Sequence, residues 1–75
     1  MDNYLAVGIA EGFEEAESED QVLEAWQHLV DTGMAWSLQG WFGRQALALI
    51  SQEVISPPKG FEYNPNTGKL AKIEE

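Results

Sequence analysis

The clearest amphipathic pattern lies in residues 19–32. Val22, Leu23, Ala25, Trp26, Leu29 and Val30 fall on one arc, and Asp20, Glu24, Gln27, His28 and Asp31 on the other. That 3.6-residue period predicts a helix with one buried side. Ser18-Glu19-Asp20-Gln21 fits a capping box with Ser18 as N-cap. Glu19 and Asp20 suit the positive end of the helix dipole. Gly33 is placed to close the helix in the left-handed conformation.

Weaker periodicities flank this segment. Over residues 3–17, Leu5, Ile9, Phe13 and Ala16 share a face bordered by Ala6 and Ala10, with Glu11, Glu14 and Glu15 opposite. Gly8 and Gly12 each weaken that helix by up to about 1 kcal/mol relative to Ala. After the connector Met34-Ala35-Trp36, Ser37 is expected to cap a third helix running to about Gln52 or Val54. Leu38, Phe42, Ala46, Leu49, Ile50 and Val54 form its apolar face. Gly40, Trp41, Arg44, Gln45 and Ala48 lie on the other side, so Trp41 is expected to project away from the core. Gly40 and Gly43 either admit a close neighbour or delay the helix start to about Gly40.

Pro57-Pro58 ends the helical part. Phe61-Glu62-Tyr63, then Asn64-Pro65-Asn66-Thr67-Gly68, then Lys69-Leu70-Ala71-Lys72-Ile73 reads as strand, turn, strand. An isolated two-stranded hairpin is marginal, so this one must dock, or else residues 57–75 form an extended tail. The fold class expected is mainly α: a small three-helix domain, residues 1–56, with a C-terminal β-hairpin or tail, residues 57–75, in the same domain.

Composition narrows the function. At 75 residues the chain holds one domain. It has no cysteine, hence no disulfide or thiolate site, and a single histidine. Met1-Asp2-Asn3 lacks the positive start of a signal peptide, and no apolar run approaches the roughly 20 residues of a membrane span. A soluble intracellular protein is expected. The formal net charge is −9. It resides in residues 1–43, which contain nine acids and no Lys or Arg. Such a field repels nucleic-acid phosphates and membrane surfaces and attracts a basic protein face. Direct nucleic-acid binding is disfavoured, because only Arg44, Lys59, Lys69 and Lys72 are basic.

The run Ala25-Trp26-Gln27-His28-Leu29-Val30-Asp31-Thr32-Gly33-Met34-Ala35-Trp36-Ser37-Leu38-Gln39-Gly40-Trp41-Phe42-Gly43-Arg44 resembles a segment of small proteins of tailed bacteriophages. In that group a helix ending in Asp-Thr-Gly is followed by Trp-x-Leu-Gln-Gly-Trp-Phe-Gly-Arg and a further helix. The similarity covers roughly residues 22–52. The group has no established activity, so the resemblance implies no catalytic or binding role. It implies origin: a phage gene product acting in the bacterial host cytoplasm.

Chemistry-bearing constellations are sparse. His28 with Glu24, Asp31 and Gln27 shares a helix face, where spacing allows a Glu24–His28 pair, and a solvated face with a surface histidine is expected. One imidazole with no second ligand cluster is a poor metal site. The chain is therefore expected to be non-catalytic, with no cofactor and no metal. Trp and Arg are over-represented among residues that dominate protein–protein binding. This makes Trp36, Gln39, Trp41, Arg44, Gln45 and Ala48 the candidate partner-binding surface. Phe61 and Tyr63 of the hairpin could instead cover Trp41. The function expected is that of an interaction protein that binds and modulates a host or phage protein. One alternative is an acidic nucleic-acid mimic that inhibits a host DNA-binding defence enzyme through Glu11, Glu14, Glu15, Asp20, Glu24 and Asp31. Another is a homo-oligomeric assembly protein, at the simplest a homodimer.

Overall fold

A computed structural model describes residues 1–74, and Glu75, assigned above to the tail, lies outside the described residues. The elements in chain order are α1 (Asn3–Glu11), α2 (Glu19–Asp31), α3 (Met34–Ser37), α4 (Gly40–Ser51), β1 (Phe61–Asn64) and β2 (Lys69–Lys72). The chain is mainly α with a C-terminal hairpin, as its patterning predicts. The expected connector at Met34 forms the single turn of α3, a fourth helix.

α2 forms as its sequence requires. The Gln21 amide donates to Ser18 Oγ at 3.2 Å. Gln21 Oε1 returns to the Glu17 amide at 2.6 Å, one residue earlier than the ideal capping box. Ala25, Trp26, Leu29 and Val30 are buried. Gly33 adopts φ 82°, which turns the chain out of α2 and into α3.

α1 is shorter than the expected 3–17. Gly12 takes φ 85°, and the Gly8 carbonyl accepts the amides of Phe13 at 2.9 Å and Glu14 at 3.0 Å. These bonds close the helix at Glu11. Phe13, predicted on the apolar face, is instead 84% exposed. The inward positions are Ala6 and Ile9, packed against α2. His28 does not pair with Glu24 through a hydrogen bond; its Nε2 lies 2.7 Å from Asn3 Oδ1 and ties the start of α1 to α2.

α4 starts at Gly40, the later of the two starts the sequence allows, and the Ser37 hydroxyl donates to the Gly33 carbonyl within the α3 turn instead of capping α4. Gln39 precedes α4 without a side-chain cap. Phe42, Ala46 and Ile50 are buried, with Leu38 and Leu49 packed beside them. At the other end Glu53 adopts φ 63°, an unusual conformation for a residue with a Cβ, and reverses the chain. Ile55 therefore enters the core in place of Val54, which is exposed. The Gln27 side chain then anchors the outgoing segment: Oε1 accepts from the Ser56 amide at 2.7 Å, and Nε2 donates to the Ser56 carbonyl at 3.0 Å.

The hairpin pairs antiparallel with Phe61 opposite Lys72, Glu62 opposite Ala71, Tyr63 opposite Leu70 and Asn64 opposite Lys69. The turn is held by Asn64, whose carbonyl accepts from Gly68 at 2.8 Å and whose Oδ1 accepts from the Asn66 amide at 2.9 Å. Tyr63 and Leu70 are cross-strand neighbours, and both pack on the helical core, so the hairpin is docked. Among the described residues no helix is long and apolar enough to cross a membrane.

Glu53→Gly removes the Cβ that disfavours this conformation and is expected to stabilise the fold by about 1 kcal/mol. Urea unfolding checks this. A lower midpoint would show that the Glu53 side chain makes a compensating interaction.

Candidate functional site

Three aromatic rings join α2 to α4. Trp41 stacks on Phe42 with centroids 3.9 Å apart and planes 28° apart. Trp26 meets Phe42 at 5.9 Å and the edge of Trp41 at 6.2 Å. Trp41, expected to project from the side opposite Phe42, instead stacks on that ring, yet it stays 37% exposed, close to the 40% of Trp36. The position of Trp41 on the helix wheel does not decide this, because a long indole can swing over its neighbour's ring.

Trp36 is held on a different side of α4. A Cβ at Gly43 would meet Trp36 Cε3 at 3.3 Å and the Ala35 carbonyl oxygen at 3.6 Å, so the missing side chain seats the α3 turn on α4. Gly43 and Trp41 are two positions apart, which on a helix of 3.6 residues per turn directs them to nearly opposite sides. The six residues of the expected surface therefore divide. Trp41, Arg44, Gln45 and Ala48 share one side of α4, Gln39 precedes the helix, and Trp36 faces elsewhere.

Around Trp36 the fold builds a cleft of about 460 Å³. One wall is the end of α2, Val30 to Gly33; the other is Pro58, Lys59, Phe61 and Leu70. Trp36 is 40% exposed and Phe61 is 41% exposed. Gly60, at φ 87°, turns the chain from the diproline segment into β1 and so helps set this second wall. Asp31 and Lys59 contribute one charge of each sign to an otherwise mostly apolar lining. Reading the sequence locally found Trp36 but missed Phe61, Pro58, Lys59 and Leu70, which reach the cleft only through hairpin docking.

The acids named above are all exposed: Glu11, Glu14, Glu15, Asp20, Glu24 and Asp31. Glu11 and Glu14 line a smaller groove of about 210 Å³ with Tyr4, Val7, Gly8 and Phe13. Asp31 accepts from Gln27 Nε2 at 3.0 Å. Among the described residues no group of three or more His, Cys, Asp or Glu side chains is arranged to hold a metal ion. The Thr32 hydroxyl at the cleft donates to the His28 carbonyl at 2.9 Å, which leaves it serving the helix end. The arrangement is suited to holding an apolar group in a recess that Trp36 and Phe61 both line.

Gly43→Val should displace Trp36 while leaving the aromatic trio in place. In NMR spectra the Trp36 indole resonance is expected to shift more than those of Trp26 and Trp41. Equal shifts of all three would show that Gly43 supports the whole core instead.

No curated protein and no solved structure matches the chain. A family model described as a domain of unknown function, DUF7417, matches residues 4–70, from α1 through the first residues of β2, and the chain belongs to that family.

Proposed function

We propose that this chain is a non-catalytic interaction protein whose Trp36–Phe61 cleft takes an apolar side chain of a partner protein. The observation that carries this reading is that two partly exposed aromatic residues, Trp36 and Phe61, line one open, mostly apolar recess. Aromatic residues lining a desolvated pocket are the usual energetic centres of protein interfaces. Asp31 and Lys59 at the same cleft supply charges that can fix the orientation of an incoming segment. The resemblance of residues 25–44 to proteins of tailed bacteriophages supports a bacterial host protein as the partner, bound in the host cytoplasm, with modulation of that protein as the purpose. Gln39, Arg44, Gln45, Ala48 and the outer edge of Trp41 offer a second surface beside α4.

Tagged wild-type protein exposed to a bacterial lysate is expected to retain a protein that Trp36→Ala and Phe61→Ala fail to retain. With the purified partner, each variant should weaken binding by roughly tenfold or more. Equal retention by all three proteins would remove the cleft from the interface. Light scattering across concentrations separates the rival occupant: a dimer lost in Trp36→Ala would make the partner a second copy of the chain.

A further inference from the structure

We infer that the groove on α1 is a recess for an arginine or lysine side chain carried by a basic segment of a partner protein. It lies on a different element from the Trp36 cleft and stands without it. The starting point is an anomaly of exposure. Tyr4 and Phe13 are each 84% exposed, more than any other large apolar or aromatic side chain among the described residues. Both line one groove with Val7, Gly8, Glu11 and Glu14.

Local geometry explains how the groove forms. Tyr4, Val7, Gly8 and Glu11 follow the three- and four-residue steps of a single helix face. The Gly12 turn then folds the chain back along that face. A Cβ at Gly8 would lie 2.6 Å from Glu14 Cγ, so the glycine makes room for the Glu14 side chain beside the helix. Two carboxylates and two aromatic rings are thereby gathered around one recess.

This combination selects its occupant by charge and shape. Aromatic faces attract a cation through their quadrupole, and carboxylates at the same recess add direct attraction. Val7 offers an apolar surface for the methylene stem that arginine and lysine carry. A metal ion fits less well, since no metal-holding group of acids exists among the described residues. The groove, at about 210 Å³, is less than half the volume of the Trp36 cleft. It suits one long side chain and not a whole helix. The source is a protein segment and not a free small cation, because Glu15, Glu17, Glu19 and Asp20 follow directly along the chain and are exposed. They continue the negative field to neighbouring bases. Residues 1–43 contain no Lys or Arg to compete.

A short oligoarginine peptide, and its uncharged citrulline analogue, titrated into the protein by calorimetry and NMR, test the inference. Oligoarginine is expected to bind and to shift amides within residues 4–14, and the citrulline peptide to leave them unmoved. Tyr4→Ala with Phe13→Ala keeps the net charge and should weaken oligoarginine by roughly tenfold. Phe13→Leu, which keeps apolar bulk, should lose part of the affinity while leaving the helical circular dichroism unchanged. Glu11→Gln with Glu14→Gln should weaken binding more than Asp20→Asn with Glu24→Gln, which alters the charge equally. Unchanged affinity in the ring variants, or equal loss in the two carboxylate pairs, would overturn the recess and leave only a diffuse acidic surface. Free arginine amide binding as tightly as the peptide would overturn the partner segment.

Discussion

The ring of Phe42, in mutual contact with Trp41 and Trp26, is the contact on which the position of α4 depends. α4 has weak local support. Its first residue is glycine, a second glycine follows at Gly43, and Gln39 provides no side-chain cap. Gly43, inside the helix, costs up to about 1 kcal/mol relative to alanine, so tertiary packing must supply the difference. Phe42 is among the largest fully buried side chains, beside Leu29 and Val30 of α2. Trp41 stacks on Phe42 while 37% of its own surface stays exposed.

Once α4 is fixed, the rest of the arrangement follows. Gly43 faces α3 and accepts the Trp36 ring against the helix. The Glu53 reversal sends Ile55 inward, and Gln27 grips the Ser56 backbone at both its amide and its carbonyl. The diproline segment then leads to a hairpin whose Tyr63 and Leu70 rest on the core, and whose Phe61 lines the same cleft as Trp36. The cleft thus arises from contacts distant in sequence. Its two walls meet because Gln27, on α2, holds the chain that enters β1.

This explains which features were legible beforehand. α2 could be read in full because its cap, periodicity and terminal Gly33 are local and agree. The hairpin was legible because Asn64 to Gly68 carries its own turn chemistry. The end of α1 was not, because the apolar spacing runs on to Phe13 and Ala16 while the backbone turns at Gly12. Periodicity cannot report a glycine's choice of positive φ. The exchange of Val54 for Ile55 has the same origin at Glu53. Of the candidate site, Trp36 was visible as an aromatic residue after a helix stop. Its partner Phe61 was not, since nothing near either residue encodes their approach. Trp41 is exposed at 37%, on the outward side its place in the helix gives it, but its stacking on Phe42 was not legible, because a helix wheel gives the direction of a Cβ and not the reach of an indole. The Asn3–His28 hydrogen bond likewise joins residues that no local pattern pairs.

The central claim is that Trp41, though about as exposed as Trp36, helps hold α4 on α2 through its stacking on Phe42 and its edge contact with Trp26. Urea unfolding of Trp41→Ala tests it most directly. Loss of a stacked, mostly covered indole is expected to reduce stability by about 2 kcal/mol or more. An unfolding midpoint equal to that of the wild type would contradict the account, because it would show that this ring contributes nothing to holding α4 on α2.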